Sequence, residues 1–114
     1  ISYSQGIKFE QGNWKEVVAL AKKENKLIYL DVYTTWCGPC KMMKPILEQV
    51  HTAMGDDVRI LKVDVDKNPK AAQVFQIKGV PTLALFKKGE IVWRQSGVVP
   101  ASLLQQIIKD HKSN

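Results

Sequence analysis

Apolar residues recur along this chain with two different spacings, and their alternation predicts a layered domain of helices and strands. Stretches with an apolar residue every three or four positions predict helices, and short β-branched or aromatic runs predict strands. The predicted helices are 14–26, 40–54, 69–75 and a last one starting at 100. The predicted strands are 27–33, 58–65, 83–86 and 91–95, with an additional edge strand at 7–9.

The order of these elements predicts an α/β fold. Strands joined through helices pair in parallel, whereas two strands joined by the short turn at 87–90 form an antiparallel hairpin. We therefore expect a central mixed sheet of five strands, or a four-stranded core of it, flanked by four helices and ending in that hairpin. At 114 residues the whole chain, 1–114, should form one domain.

Charge and hydropathy exclude some classes of partner. The net charge is +6, but the lysines are scattered over the whole chain. A nucleic-acid-binding protein concentrates its charge in a stripe or patch, so we expect no nucleic-acid partner. No apolar run approaches the roughly 20 residues that span a bilayer, so we expect no stable membrane association. We expect a monomer.

The only two cysteines, Cys37 and Cys40, fall where a buried strand meets the start of a helix. The free amides of a first helical turn favour negative charge and stabilise a thiolate. The spacing of the two residues is compatible with the Cα separation of about 5–6 Å in a disulfide. We expect Cys37 to be exposed and Cys40 to point into the protein.

The cysteine pair has three possible interpretations, and the sequence does not favour them equally. A structural disulfide that closes so short a loop adds little stability. A structural zinc site needs about four ligands, and His51 and His111 lie too far along the chain to complete one, so we expect no metal. A redox-active pair is the interpretation that the sequence favours most, with the other two as alternatives.

The stretch Trp36-Cys37-Gly38-Pro39-Cys40-Lys41 resembles the active-site signature of the thioredoxin family. Several distant residues agree with that family in type and spacing, and no insertion is needed between Asp31 and Gly97. These residues are Asp31, Pro45, Lys62, Gly79-Val80-Pro81-Thr82, Gly89 and Ser96-Gly97-Val98. Tyr33 and Thr34-Thr35 depart from the residues commonest in the family, which we expect to adjust partner preference and redox poise only.

The resemblance implies a thioredoxin fold and a protein-disulfide reductase with no cofactor besides a redox-active Cys37–Cys40 disulfide. It implies that Cys37 attacks the target and Cys40 resolves the mixed disulfide. Buried Asp31, beside Lys62, would accept the proton of Cys40, although a purely structural role for this acid is the alternative. Pro81 would be cis and pack against the cysteines. The implied substrate-binding residues are Trp36, Gly38, Pro39, Val80, Gly97 and Val98.

Two other functions on the same fold are alternatives, namely a disulfide oxidase or isomerase and a docking module. Gly-Pro between the cysteines is typical of the reductants in the family. The implied partners are disulfide-containing target proteins and an electron donor, either a reductase or a membrane thiol conduit. The first residue is not Met, and residues 21–26 are similar to thioredoxin-like proteins of the bacterial envelope. The similarity extends over the whole front segment, 14–26, which resembles the first helix of those proteins. These two features favour the envelope or periplasm over the cytoplasm.

Overall fold

The computed structural model of the protein describes residues 7–9, 19, 23 and 27–112, and the side chains of all of these except 7–9. The predicted helix at 14–26 lies outside the described residues, apart from Ala19 and Lys23. The described strands are β1 (Ile7–Phe9), β2 (Leu27–Tyr33), β3 (Val58–Asp64), β4 (Thr82–Lys87) and β5 (Glu90–Ser96). The described helices are α1 (Gly38–Met54), α2 (Pro69–Val74) and α3 (Ala101–Lys112), with a 3-10 turn at Gly55–Asp57.

The strands form one mixed sheet in the order β1-β3-β2-β4-β5. β3 pairs in parallel with β1 and β2, whereas β4 pairs antiparallel with β2 and β5. The predicted mixed α/β sheet with a final antiparallel hairpin is therefore confirmed. Among the described helices, none combines the length and the apolar character needed to cross a membrane.

Alternation along the central strand β2 separates two hydrophobic cores. Leu27 and Tyr29 point into the core formed with α1 and α3, and Ile28 and Leu30 point into the core formed with α2. Successive strand side chains point to opposite faces of a sheet, so Asp31 falls on the α1 face. The sequence thus places this single acid directly beneath the helix that carries both cysteines.

The β4–β5 turn and the start of α2 show how local sequence sets the chain path. Lys88 and Gly89 both have positive φ, 54° and 85°, which is the geometry of the two-residue turn that suits the twist of a hairpin. The pair Asn68-Pro69 predicts a helix start with a capping residue followed by proline at the first helical position, and Pro69 does occupy the first turn of α2. The predicted side-chain cap by Asn68 is wrong, because its amide nitrogen instead donates to the carbonyl oxygen of Asp64 at 3.0 Å.

Candidate active site

The two cysteines lie at the junction of β2 and α1 and form a disulfide with a Cα–Cα distance of 5.2 Å. Cys37 is the N-cap residue of α1, and its Sγ accepts a hydrogen bond from the amide of Cys40 at 3.1 Å. Pro39 lies in the first turn of the helix, where the missing amide costs no hydrogen bond. The helix N-terminus therefore directs a backbone donor at the sulfur of Cys37, the atom for which the sequence predicts a thiolate.

The predicted exposure of Cys37 is wrong for this oxidised form. Cys37 is 6% exposed and Cys40 4%, so both are buried. Cys37 Sγ lies 3.8 Å from the carbonyl oxygen of Val80, a contact and not a hydrogen bond, because a disulfide sulfur carries no proton. The bridge to Cys40 and the carbonyl oxygen of Val80 both contact the sulfur of Cys37, and the Val80 contact comes from a loop that is distant in the sequence.

Asp31 and Lys62 face each other across the parallel pair β2 and β3. Lys62 Nζ lies 3.8 Å from Asp31 Oδ2, and the Asp31 side chain is 1% exposed. Neither carboxylate oxygen has a hydrogen-bond partner among the described residues. Burial disfavours the charged form and raises the pKa of Asp31 to about 6, although the nearby Lys62 lowers it. A carboxyl with this pKa can exchange a proton near neutral pH. The role of proton acceptor that the family resemblance implies for Asp31 stays a prediction.

Tyr33 helps to hold Lys62 in place. The ammonium of Lys62 lies 4.5 Å from the centre of the Tyr33 ring, within the range of a cation–π contact. Partial burial, with the charges of Asp64 and Asp31, raises the pKa of the Tyr33 hydroxyl. The aromatic residue at this position thus contacts the lysine that faces Asp31.

The loop around Pro81 closes the site on the side of Cys37. The Val80–Pro81 peptide bond is cis, as predicted. The amide of Gly97 donates to the carbonyl oxygen of Pro81 at 2.8 Å, which joins the two loops. Gly97 has a φ of +92°, a conformation that favours glycine at this turn. These contacts bring Val80, Pro81 and Gly97 together beside Cys37.

Four of the predicted substrate-binding residues are exposed. Trp36 is 73% exposed, which excludes core packing for this side chain, and Val98 is 38% exposed. Gly38 and Pro39 are also exposed. We refer to Trp36, Val80, Gly97 and Val98 as the apolar rim, and its role in substrate binding stays a prediction.

Asp66 is a site residue that the sequence analysis missed. The indole Nε1 of Trp36 donates to Asp66 Oδ2 at 2.9 Å, so the exposed ring is held by a residue just beyond β3. The available signal was positional, because the carboxyl ends of neighbouring parallel strands meet at one edge of a sheet.

Asp31 and Cys40 are not joined directly, because both Asp31 oxygens lack a hydrogen-bond partner. His51 and His111 lie apart from the cysteines in sequence, and His111 Nδ1 lies 2.8 Å from the carbonyl oxygen of Ile107. Within 7–9, 19, 23 and 27–112, no three His, Cys, Asp or Glu residues are grouped to hold a metal ion.

Comparisons with a family model and with known proteins indicate the same family. The family model described as Thioredoxin matches residues 5–110. A thioredoxin-like protein of Synechocystis sp. is 43% identical over 102 residues, covering 89% of this chain and 94% of that protein. The thioredoxin of Bacillus subtilis is 37% identical over 91 residues, covering 80% and 88% of the two chains.

Solved structures agree with these relatives. Mitochondrial thioredoxin 3 from Saccharomyces cerevisiae, in its oxidised form, superimposes with a TM-score of 0.80 at 35% identity. The match covers 96% of this chain and 99% of that one. A mutant thioredoxin from Halobacterium salinarum gives a TM-score of 0.82 at 30% identity over 98% of this chain and 96% of that one.

Proposed function

Because the chain belongs to the thioredoxin family and is a thiol–disulfide oxidoreductase, we propose that Cys37 is its attacking thiol and Cys40 its resolving thiol. The Cys37 thiolate attacks a target disulfide, which forms a mixed disulfide and releases one target thiolate. The Cys40 thiolate then attacks the sulfur of Cys37, forming the internal disulfide and releasing the second target thiolate. Two electrons pass from the dithiol to the target, and no cofactor besides the cysteine pair takes part.

The amide of Cys40 carries this assignment. It donates to the sulfur of Cys37 at 3.1 Å from the first turn of α1. A thiolate at a helix N-terminus is stabilised by such donors, so this hydrogen bond favours Cys37 as the nucleophile. Cys40 has no matching position, since it lies inside the helix and no amide of the described residues donates to its sulfur.

Asp31 is proposed as the acceptor of the Cys40 proton, through a water molecule. Its position on the α1 face of the sheet and its pKa of about 6 support this role. Lys62, which faces Asp31, stabilises the carboxylate after it has released the proton to solvent. We propose Lys62 as a positioning residue for Asp31 and not as a group that touches the target.

The target chain is proposed to dock on the apolar rim in an extended conformation. Val80 precedes the cis Pro81 and lies beside Cys37, so its backbone can pair with a target strand. Trp36, Gly97 and Val98 would flank that strand. The Trp36–Asp66 hydrogen bond holds one side of the rim in place before the target arrives.

The reduction potential tests whether the protein is a reductase or an oxidase. We expect equilibration in glutathione buffers to give a reduction potential of about −270 mV, the value typical of thioredoxins. A value near the about −120 mV of a strong oxidant would support the oxidase alternative. Insulin reduction with dithiothreitol tests the docking-module alternative, because a docking module would not accelerate that reaction.

The partners and the compartment extend this proposal. Disulfide-containing proteins are the targets, and a reductase or a membrane thiol conduit regenerates the dithiol of a monomeric protein. Light scattering during size-exclusion chromatography tests the monomer. The bacterial envelope stays a prediction, and the segment that favours it, 14–26, lies outside the described residues except for Ala19 and Lys23. Cell fractionation of the source organism tests it.

A further inference from the structure

The side chain of Arg94 connects β5 to the segment that leads from α2 to the cis proline. Its Nη1 donates to the carbonyl oxygen of Phe75 at 2.5 Å, and its Nη2 donates to the carbonyl oxygen of Gln76 at 3.0 Å. Arg94 pairs with Ala84 of β4, so its side chain lies on the α2 face of the sheet. No step of the proposed reaction uses this arginine.

The two carbonyl groups lie where the chain leaves α2. Phe75 and Gln76 follow the last residue of the helix, where carbonyl groups lack an amide partner further along the helix. Gln76 also has a φ of 53°, a left-handed conformation that a side chain disfavours. A guanidinium presents its donors in a rigid planar fork, so it can bind two adjacent carbonyl groups together. Arg94 therefore fixes the backbone at this point.

The segment 77–81, which we call the cis-proline loop, is also fixed at its far end. The hydroxyl of Thr82 donates to the carbonyl oxygen of Gly79 at 2.6 Å. A hydroxyl has one proton, so the hydroxyl of Ser96 is the donor in its 3.0 Å hydrogen bond with Thr82. The amide of Gly97 donates to the last residue of the loop. The end of β5 and the residue after it therefore hold the far end of the loop.

We propose that Arg94 is a positioning residue for target binding, because it fixes the start of the cis-proline loop in the conformation that a target chain meets. Val80 in this loop lies against the sulfur of Cys37. A loop that is held before the target arrives loses less conformational entropy on binding. This inference rests on the proposed docking of an extended target chain at Val80. Arg94 acts through the loop and takes no part in the transfer of electrons.

This role separates targets that have a polypeptide backbone from small disulfides. Without Arg94 the loop must be ordered at each binding event, which raises the concentration of a protein target at half-maximal rate. The maximal rate should change little, since the cysteines and Asp31 keep their positions. A small neutral disulfide has no peptide backbone to pair with Val80, so its reaction with Cys37 should not depend on Arg94.

Arg94→Met tests this role, because it keeps an unbranched side chain and removes the guanidinium. The reduced protein is mixed with rising concentrations of insulin, and its oxidation is followed by quenched-flow mass spectrometry. We expect the insulin concentration at half-maximal rate to rise about fivefold, as loss of hydrogen bonds to exposed or partly buried carbonyl groups implies. The maximal rate, and the rate constant with 2-hydroxyethyl disulfide, should each change by less than about twofold.

Lys109→Met is the matched control, because it removes an exposed positive charge from α3 and should leave all three quantities unchanged. An arginine that only stabilised the fold would lower the melting temperature of Arg94→Met without changing the half-saturation concentration, which would overturn the proposal. A rise that disappears in about 0.5 M sodium chloride would also overturn it, because that salt screens charge steering but does not order a loop.

The wild-type protein separates failure of this inference from failure of the proposed function. If insulin reacts faster than 2-hydroxyethyl disulfide, and wild type and Arg94→Met have equal half-saturation concentrations, the role of Arg94 alone is overturned. If insulin reacts no faster than 2-hydroxyethyl disulfide with the wild-type protein, docking at Val80 is contradicted, and the role of Arg94 with it. A fivefold rise for insulin alone supports both.

Discussion

Replacing Asp31 by Asn should change how the stability of the oxidised protein depends on pH. The carboxyl is buried, neither oxygen accepts a hydrogen bond from the described residues, and Lys62 Nζ approaches only to 3.8 Å. Burial therefore outweighs the attraction of Lys62 and raises the pKa of Asp31 from 3.8 to about 6. This rise in the pKa means that folding favours the neutral carboxyl over the ionised one by about 3 kcal/mol.

The direction of the effect follows from which state holds the proton more tightly. Below pH 3.8 the carboxyl is protonated in both the folded and the unfolded chain, so it imposes no penalty. As the pH rises towards and beyond about 6, the unfolded chain ionises first and the folded state loses relative stability. Wild-type protein should therefore lose about 3 kcal/mol through this one group between about pH 4 and about pH 7.

Guanidinium chloride unfolding at about pH 3.5 and about pH 8 measures this difference. The free energy of unfolding of Asp31→Asn minus that of wild type should rise by about 3 kcal/mol between the two values. The cost of burying the new amide does not depend on pH, so it cancels. Asp56→Asn, at an exposed position of the 3-10 turn, should show less than about 0.5 kcal/mol of such change. A difference for Asp31→Asn that is flat or falls with pH would refute the reasoning.

Two further substitutions test a buried hydrogen bond and the backbone conformation after α2. Tyr29→Phe removes the buried hydrogen bond from the hydroxyl to the carbonyl oxygen of Leu104, which is 2.7 Å long. We expect the free energy of unfolding to fall by about 1 kcal/mol and the melting temperature to fall by about 4 °C. An unchanged melting temperature would show that this bond adds no net stability. Gln76→Gly should stabilise the protein by about 0.5 kcal/mol, because Gln76 has a φ of 53° at the end of α2. The matched change Gln73→Gly inside α2 should instead destabilise the protein by about 1 kcal/mol. If denaturant unfolding shows that both variants change the free energy of unfolding in the same direction, the expectation for Gln76 is contradicted.

Periodicity predicted the sheet and the hairpin because these depend on local spacing. The β-branched run at 27–33 is a strand. Asp31 and Lys62 were named from the family resemblance, and the parallel register of β2 and β3 confirms that they face each other. The face on which Asp31 lies depends on where α1 packs, which alternation along one strand does not reveal.

The burial of Cys37 could not be read in the same way, because it depends on a loop 43 residues further along the chain. The contact with Val80 arises only when β4 pairs with β2. The hydrogen bond between Trp36 and Asp66 has the same origin, since it joins residues that meet at the edge of the folded sheet. Contacts between distant loops have no periodic signal.

The division of roles between Cys37 and Cys40 is the central claim, and trapping of mixed disulfides tests it most directly. Reduced Cys40→Ser and Cys37→Ser proteins are mixed with a disulfide-containing target, and the products are followed over time by intact mass spectrometry. Cys40→Ser should accumulate a stable mixed disulfide through Cys37, because the resolving thiol is missing. Cys37→Ser should form little adduct, because Cys40 lies inside α1 and no amide of the described residues donates to its sulfur. Rapid adduct formation by Cys37→Ser, or normal turnover by Cys40→Ser, would contradict the assigned roles.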